Sequence, residues 1–510
     1  MLADPPRNWR VNWLRCPSGI STDVSRQVVL EVVTDFGERV GSESFDGESV
    51  SVDLVNLGIS LSLHPDIIPA ASLFDDVWSR GQEAAHDSGG GGGIADIVLE
   101  AFADMQCSRA LDAGQLAVGK DGCARAWIRI RAAAQTRRGF SHLRIRARCT
   151  YNRAPVHAGG GIILSAWSPT CVLMGEGDAK QPAMVGEEAL QARSLTFGSF
   201  KGHQPLPLWL YEDVRTRSTG GNLWDVAMII GEVVAACYAI WRIREEGGQG
   251  DEESCVDVEG LEGGWKLLVG DPRQVGLVGD AFKHGGRVAE LGAGTGAVGL
   301  LCGMAGAGEV VFTDNDEEVL SLLRMNAAAN LGGKGCKGKA PPHHHACTSS
   351  SSSSSPSSSW EVKKLVWGEE PSSRGSSDDD GKGEERAGLG HFDLIVASEC
   401  VYAEVGFYPL CKTLLSLSSE TSRIILGFRS RDAKAEALVK ELLGQHFIIS
   451  SISVERAPRH LPRFCEQGGV EIYALRRRLE CDVPRPPALS ALARYLVAQG
   501  DLTPGGSGKR

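Results

Sequence analysis

A short apolar segment that ends in a glycine-rich turn has the clearest chemical potential in this sequence. Residues 287–297 read Arg-Val-Ala-Glu-Leu-Gly-Ala-Gly-Thr-Gly-Ala, and a second apolar run follows them. This pattern predicts a β-strand, a tight turn and a helix. The glycines permit backbone angles that a Cβ would obstruct, and they let a ligand approach the main chain beside the helix N-terminus. We therefore expect Gly292, Gly294 and Gly296, with Glu290 just before them, to form part of a ligand site.

The same spacing also fits the fingerprint of a dinucleotide-binding turn. Gly292, Gly294 and Ala297 occupy its three small-residue positions, and Asp314 lies at about the separation of the acid that binds ribose. Glycine spacing alone thus leaves an NAD-dependent oxidoreductase open. Glu290 and the third glycine, Gly296, favour a different cofactor, which other residues must identify.

Strands and helices alternate from residue 287 onwards, and this order predicts how the turn is positioned. Strands are expected at 287–291, 309–313, 360–366, 392–397, 423–428, 447–454 and 470–477, and helices at 298–305, 316–330, 405–418 and 433–443. Such alternation requires a parallel sheet with helices on both faces, and the last two strands suggest an antiparallel hairpin. In an open sheet of this kind, ligands bind outside the carboxyl ends of the strands.

Six short motifs stand in the order found in the family 16 methyltransferases, which use S-adenosylmethionine. They are Thr219-Gly220-x-x-Leu223-Trp224-Asp225-x-Ala227, Glu290-Leu291-Gly292-Ala293-Gly294-Thr295-Gly296, Phe312-Thr313-Asp314, Leu365-Val366-Trp367-Gly368, Phe392-Asp393-Leu394-Ile395 and Glu399-x-x-Tyr402. Over about residues 195–478 the chain therefore resembles the protein-lysine methyltransferases of this family. The resemblance implies an α/β, Rossmann-like class I fold with a mostly parallel seven-stranded sheet and helices on both faces. It also implies S-adenosyl-L-methionine as the cofactor.

The resemblance also assigns roles to individual residues. The positions assigned to the cofactor site are Trp224, Glu290, Gly292, Gly294, Gly296, Asp314, Trp367 and Ser398. Asp314 would bind the ribose, Trp367 would stack on the adenine, and Trp224 and the glycines would line the methionine side. Glu399 and Tyr402 would form the methyl-transfer site, where Glu399 orients the target amine. Many relatives carry Asp in place of Glu399, so the reach of this carboxylate differs here.

Each of these side chains also has a purely structural alternative. Asp314 could be the N-cap of the next helix, and Trp367 could belong to the core. Glu399 could cap the following helix while Tyr402 packs on it. A non-catalytic scaffold built on an inactive domain is a further alternative, which the glycines, Asp314 and Glu399 argue against.

The expected substrate is a lysine of a non-histone protein, such as a chaperone, an ATPase or a translation factor, because members of the family modify such proteins. A small molecule or a nucleic acid remains the alternative. Base amino methyltransferases carry Asn/Asp-Pro-Pro-aromatic where residues 398–401 read Ser-Glu-Cys-Val, and the net charge of −11 also disfavours nucleic acid.

The 14 cysteines show no repeated spacing and suit reduced thiols, which predicts a cytoplasmic or also nuclear protein. No segment predicts a membrane span, and no spacing of residues predicts a metal site. His343, His344 and His345 are consecutive and cannot all face one ion.

The sequence divides into three predicted parts. Residues 1–190 form an N-terminal α+β region of unknown type and function. Within it, strands are expected at 27–36 and 49–57, a helix at 94–105, and a hairpin from 126–131 and 142–149.

The predicted methyltransferase domain, 195–478, opens with a strand pair at 195–200 and 206–214 and an apolar helix at 226–241. It carries low-complexity inserts at 331–359 and 369–390, which are expected to be disordered. Residues 479–510 form a tail with a short amphipathic helix at 488–499.

Overall fold

The structure is a computed structural model of the chain. It describes residues 9–16, 19–21, 26–34, 50–60, 97–102, 105–106, 115–117, 123–132, 142–151, 154–155, 163–164, 166–168, 171–174, 190–197, 206–214, 218–245, 265–269, 282, 285–332, 358–369, 389–429, 433–456 and 470–479. The predicted inserts therefore lie largely outside the described residues, as does the tail helix at 488–499. Residues 245–262 form an acidic segment, of which only Glu245 is described.

The described part of the N-terminal region, together with the strand pair that follows it, is built from β-strands. They are β1 (Trp9–Arg15), β2 (Gly19–Ser21), β3 (Arg26–Thr34), β4 (Val50–Ser60), β5 (Ile97–Phe102), β6 (Gln115–Ala117), β7 (Cys123–Ala132), β8 (His142–Tyr151), β9 (Ala154–Pro155), β10 (Ile163–Leu164), β11 (Ala166–Trp167), β12 (Cys171–Met174), β13 (Gln191–Phe197) and β14 (Leu206–Glu212). One sheet has the order β10-β1-β3-β7-β5, and the other contains β14-β13-β11-β8-β12-β2 with β4, β6 and β9 attached.

Two predictions for this region are wrong. Residues 97–102, expected to lie in a helix, form β5, so the region is all-β rather than α+β in its described residues. The two arginine-rich segments are strands, but they do not form a hairpin: β7 pairs with β3 and β5, whereas β8 pairs with β4 in the other sheet. The strands predicted at 27–36 and 49–57 are confirmed as β3 and β4.

The remaining described elements alternate in the predicted way. The helices are α1 (Asp225–Glu245), α2 (Ala297–Met304), α3 (Glu317–Leu331), α4 (Phe407–Leu417) and α5 (Ala433–His446). The strands are β15 (Trp265–Val269), β16 (Arg287–Leu291), β17 (Glu309–Asp314), β18 (Ser359–Lys364), β19 (Phe392–Ser398), β20 (Ser418–Arg429), β21 (Phe447–Arg456) and β22 (Val470–Arg477), with short 3-10 turns at Thr219–Gly221 and Glu404–Gly406. None of the helices in the described ranges is long and apolar enough to cross a membrane.

These eight strands form one sheet in the order β15-β21-β22-β20-β19-β16-β17-β18. Strands β16 to β20 run parallel, and β22 is antiparallel to both β20 and β21. Seven strands thus form the predicted Rossmann-like class I methyltransferase sheet with its antiparallel end. β15, which the sequence did not predict, adds an eighth strand by pairing antiparallel with β21.

Alternate residues of the parallel strands point to opposite faces of the sheet, and both faces are covered by helices. Val288, Leu394 and Val396 pack with α1, α2 and α3 on one face. Ile395 and Ala397 pack with α4 and α5 on the other face. Burial on both sides explains why these strands are continuous apolar runs.

Strand β14 connects the nine-stranded N-terminal sheet with the helical layer of the eight-stranded sheet. One side of it pairs with β13, and on the other side two asparagines of α3 bind its backbone. Asn326 accepts a hydrogen bond from Tyr211 N at 2.8 Å and donates one to Tyr211 O at 3.1 Å. Asn330 accepts a hydrogen bond from Trp209 N at 2.9 Å and donates one to Trp209 O at 2.6 Å. The two asparagines are four residues apart on the helix, a rise of about 6 Å. Trp209 and Tyr211 are two residues apart on the strand, a rise of about 6.6 Å, so each asparagine lies beside its partner.

Candidate active site

The glycine turn after β16 has the backbone that the sequence predicted. Gly292, Gly294 and Gly296 have φ angles of 57°, 54° and 81°, in the left-handed region that disfavours a side chain. Ala293 N donates to Thr313 O at 2.9 Å, which fixes the turn to the end of the neighbouring strand β17. The turn then leads directly into α2, which begins at Ala297.

Glu290 lies beneath the turn, not on its open side. Its side chain is buried, and Oε2 accepts a hydrogen bond from Gly299 N at 2.8 Å. Burial raises the pKa of this carboxyl to about 8, although the bond from Gly299 opposes that shift. The side chain therefore holds the start of α2 against β16, and its position supports the turn from inside the protein.

Asp314, at the end of β17, faces the glycine turn. Oδ2 accepts from Gly294 N at 3.2 Å, while Oδ1 accepts from Asn315 N at 2.8 Å and Asp316 N at 3.2 Å. Burial raises the pKa of this carboxyl. A carboxylate has about four lone-pair sites, and three of those of Asp314 already accept hydrogen bonds, so one remains for a ligand. If both ribose hydroxyls were to donate to Asp314, one of them would have to share a lone pair with a backbone N–H. The N-cap of α3 is Asp316, which accepts from Glu318 N, so the capping alternative for Asp314 is wrong.

Trp367 follows β18 and lies over the glycine turn. A Cβ built on Gly292 would approach its Cζ2 to 3.1 Å and the sulfur of Cys400 to 3.0 Å. On another side of the indole, a Cβ built on Gly406 would lie 3.9 Å from Cζ3 of Trp367. The ring is half-buried and packs at the edge of the core, so it has both the predicted position beside the site and a structural role.

The segment after β19 contains the predicted methyl-transfer residues. Ser398 Oγ is buried and has no hydrogen-bond partner in the described structure. Glu399 has a φ of 56°, the one positive value among described residues other than glycine, and its N–H donates to Gly427 O at 2.8 Å. Such strain is maintained where surrounding structure enforces it, often at functional sites. Tyr402 is 60% exposed and extends the site to the surface.

Trp224 reaches the site from the segment before α1. Its Nε1 donates to Thr219 O at 2.9 Å, which closes the 3-10 turn back on the tryptophan. This turn contacts the glycines directly, because a Cβ on Gly294 would lie 3.2 Å from Gly220 O. The structure thus brings Trp224, the glycine turn, Asp314, Trp367 and the Ser398–Tyr402 segment to one edge of the sheet.

Sequence reasoning missed two residues of this site. Cys400, quoted in the motif without a role, is buried against the turn, where its thiol donates to Leu291 O at 3.1 Å. Burial, with Asp314, Glu290 and Glu399 nearby, raises the pKa of this thiol well above its usual range. Gly220 lies between Val319 and Gly294, and only its glycine identity in the quoted motif indicated so close a contact.

The model of a family described as lysine methyltransferase matches residues 203–338 and 351–445. A similar relative is protein N-lysine methyltransferase METTL21A of Mus musculus, which is 31% identical over 163 residues, 32% of this chain and 58% of the relative. Another is EEF1A lysine methyltransferase 3 of Mus musculus, 30% identical over 196 residues, 38% of this chain and 63% of the relative. The alignments thus span about three fifths of the length of these curated relatives.

Solved structures of methyltransferases also match. One is the ribosomal protein L11 methylase from Lactobacillus delbrueckii subsp. bulgaricus, with 18% identity, coverage of 41% of this chain and 81% of that chain, and a TM-score of 0.23. Another is a methyltransferase from Pyrococcus furiosus, with 15% identity, coverage of 38% and 74%, and a TM-score of 0.23.

Proposed function

Because residues 203–338 and 351–445 match the model of the lysine methyltransferase family, we propose that this chain methylates a lysine side chain of a non-histone protein, with S-adenosylmethionine as cofactor. One observation supports this function most directly. The ends of three parallel strands meet around Gly292 after β16, where an added Cβ would lie 3.1 Å from Trp367 after β18 and 3.0 Å from Cys400 after β19. This contact brings the predicted cofactor turn next to the predicted methyl-transfer segment.

The residues present fit the proposed cofactor. The glycine turn has left-handed backbone angles, and a side chain at Gly292 or Gly294 would crowd the neighbouring segments at 3.0–3.2 Å. Asp314 retains acceptor capacity for a ribose hydroxyl. Ser398 offers a buried hydroxyl that has no partner in the described structure and is available to a ligand, since buried polar groups in native proteins are generally hydrogen-bonded.

When bound, S-adenosylmethionine supplies a methyl group that is already activated by a sulfonium. The protein therefore needs mainly to position the accepting amine. Glu399 orients that amine from the end of β19, and the apolar surroundings lower the amine's pKa, so that its proton leaves to water. Tyr402 bounds the slot through which the lysine enters.

The surface around Tyr402 supports a protein substrate over a small molecule. Tyr402, Val405 and Tyr408 are 60%, 83% and 45% exposed, and all three belong to one segment beside the methyl-transfer residues. Exposed apolar side chains that lie together mark surfaces that bind other molecules. The relatives are named for methylation of protein lysines, and one name specifies EEF1A as the protein it modifies.

Incubation of the protein with a tritiated methyl donor and a cell extract tests this function. We expect label in a protein band and, after hydrolysis, in methylated lysine. The Glu399→Gln variant is the matched control, because it keeps the cofactor site and should lose the label. Label in RNA or in small molecules would favour the alternative substrates, and binding of NADH in place of the methyl donor would overturn the assignment.

A further inference from the structure

The backbone on both sides of Trp224 is held by buried side chains of the N-terminal region. Arg10, on β1, donates from Nη1 to Leu223 O and from Nη2 to Asp225 Oδ1, the latter at 3.1 Å. Leu223 and Asp225 are the residues directly before and after Trp224. Arg10 is 3% exposed and Asp225 1%, so water competes little for these bonds.

The same segment is held from a second side. Leu223 N donates to Glu212 Oε1 at 2.8 Å. The other oxygen of Glu212 accepts from Arg193 Nε at 2.6 Å and from Gln191 Nε2 at 2.8 Å, both on β13. Arg10 of β1 therefore binds the carbonyl of Leu223, and Glu212 of β14 binds its N–H group.

Asp225 also connects this contact to the methyltransferase sheet. Its Oδ2 accepts from Arg429 Nη2 at 3.2 Å, and Arg429 ends β20. One carboxylate thus lies between the guanidinium of Arg10, from the five-stranded N-terminal sheet, and the guanidinium of Arg429, from the eight-stranded sheet. Breaking a buried pair by removing one partner leaves an uncompensated charge, so the segment depends on both arginines.

We propose that Arg10 is a positioning residue for the cofactor site, so that the N-terminal region completes this site across the domain boundary. Arg10 fixes Leu223 and Asp225, these fix Trp224, and the turn bound to Trp224 contacts Gly294. Arg10 and β1 lie outside the residues that match the family model. The identity of the cofactor in this inference rests on the proposed function; the positioning of the segment does not.

Arginine suits this position because its donors are arranged in a rigid fork. Two of its nitrogens reach acceptors on two different residues, a carbonyl and a carboxylate. A lysine has a single ammonium on a flexible stem and cannot reproduce this arrangement. Arg10→Lys therefore keeps the charge beside Asp225 and loses the fixed geometry, which separates the two contributions.

The test compares full-length Arg10→Gln and Arg10→Lys with Arg287→Gln as matched control. Arg287 also holds a chain segment through His391 O and Leu389 O, but at the amino ends of the strands. We expect Arg10→Gln to raise the KM for the methyl donor about tenfold with kcat changed little, and Arg10→Lys to have an intermediate effect. Hydrogen exchange of the amides of 219–226 should accelerate in both Arg10 variants and remain unchanged in Arg287→Gln.

Unchanged exchange at 219–226 in the Arg10 variants would overturn the positioning role, as would faster exchange with an unaltered KM. An equal rise in KM for Arg287→Gln would also overturn it, because the effect would then follow general destabilisation. If Arg10→Gln does not fold, Arg10→Lys provides the comparison with Arg287→Gln. Failure of the wild type to bind the methyl donor would refute the proposed function separately, since the exchange experiment needs no cofactor.

Discussion

Substitution of Gly294 by alanine tests whether the glycine turn shapes the cofactor site. Gly294 has a φ of 54°, and a non-glycine residue in this region costs about 1–2 kcal/mol. The added Cβ would also lie 3.2 Å from Gly220 O, a backbone atom that cannot rotate away. The 219–221 turn must therefore shift, and with it the segment that carries Trp224.

We expect Gly294→Ala to lower the free energy of unfolding by about 1–2 kcal/mol or more. We expect it to weaken binding of the methyl donor by at least about tenfold, which corresponds to about 1.4 kcal/mol. Calorimetric titration measures the affinity, and chemical denaturation measures the stability.

Gly306→Ala is the matched control for this experiment. Gly306 has a φ of 102°, and nothing lies within 4 Å of an added Cβ. This variant should lose stability through backbone strain while its affinity for the methyl donor remains that of the wild type. An affinity of Gly294→Ala within about twofold of the wild type would refute the reasoning, as would an equal loss of affinity in Gly306→Ala.

Three further outcomes follow from the site. Glu399→Gln should lower single-turnover rates by roughly 100-fold or more with little change in affinity for the methyl donor. Tyr402→Phe should lower these rates less. A Glu399→Gln variant that remains active would contradict the role of Glu399. Asp314→Ala should weaken binding of the methyl donor more than about tenfold and, because three N–H groups lose their acceptor, lower the free energy of unfolding by about 1–3 kcal/mol, both measurable on one sample. Burial raises the pKa of Glu290 to about 8, so the folded state retains a proton that the unfolded state releases, and wild-type stability should fall as pH rises from about 4.5 to about 8. Denaturation curves of Glu290→Gln should lack this decline, and an equal slope in both proteins would count against it.

The sequence was sufficient for seven strands of the eight-stranded sheet because their signals are local. Strands such as β16 and β19 are continuous apolar runs, and the turn at Gly292 needs glycine for conformational reasons within a few residues. The alternation of strands and helices then restricts the topology to few arrangements. β15 was missed because a single edge strand beyond an acidic segment carries no comparable pattern.

The N-terminal region shows where local patterns are insufficient. The alternation in β7 and β8 indicated two strands correctly, but pairing depends on contacts between distant residues, such as Val28 with Ala126 and Val52 with Cys149. A short apolar run such as β5 is equally compatible with a helix and a strand.

The candidate site was predicted only in part for the same reason. Its glycines and Asp314 belong to motifs, whereas the contact of Arg10 with Asp225 joins residues 215 positions apart. Asp316 and Asp314 are two residues apart, and sequence alone does not show which of them caps α3.

The asparagine contacts along β14 have a consequence for fragments of this protein. A fragment that starts at residue 203, where the family match begins, would keep β14 with Asn326 and Asn330 on one side and remove β13 from the other. The N–H and C=O groups of β14 that pair with β13 would then lose their partners and form an open strand edge, the kind of surface on which separate molecules pair and aggregate. Soluble expression of a fragment that contains β14 therefore depends on a starting point before Gln191, because β13 is the strand that pairs with β14.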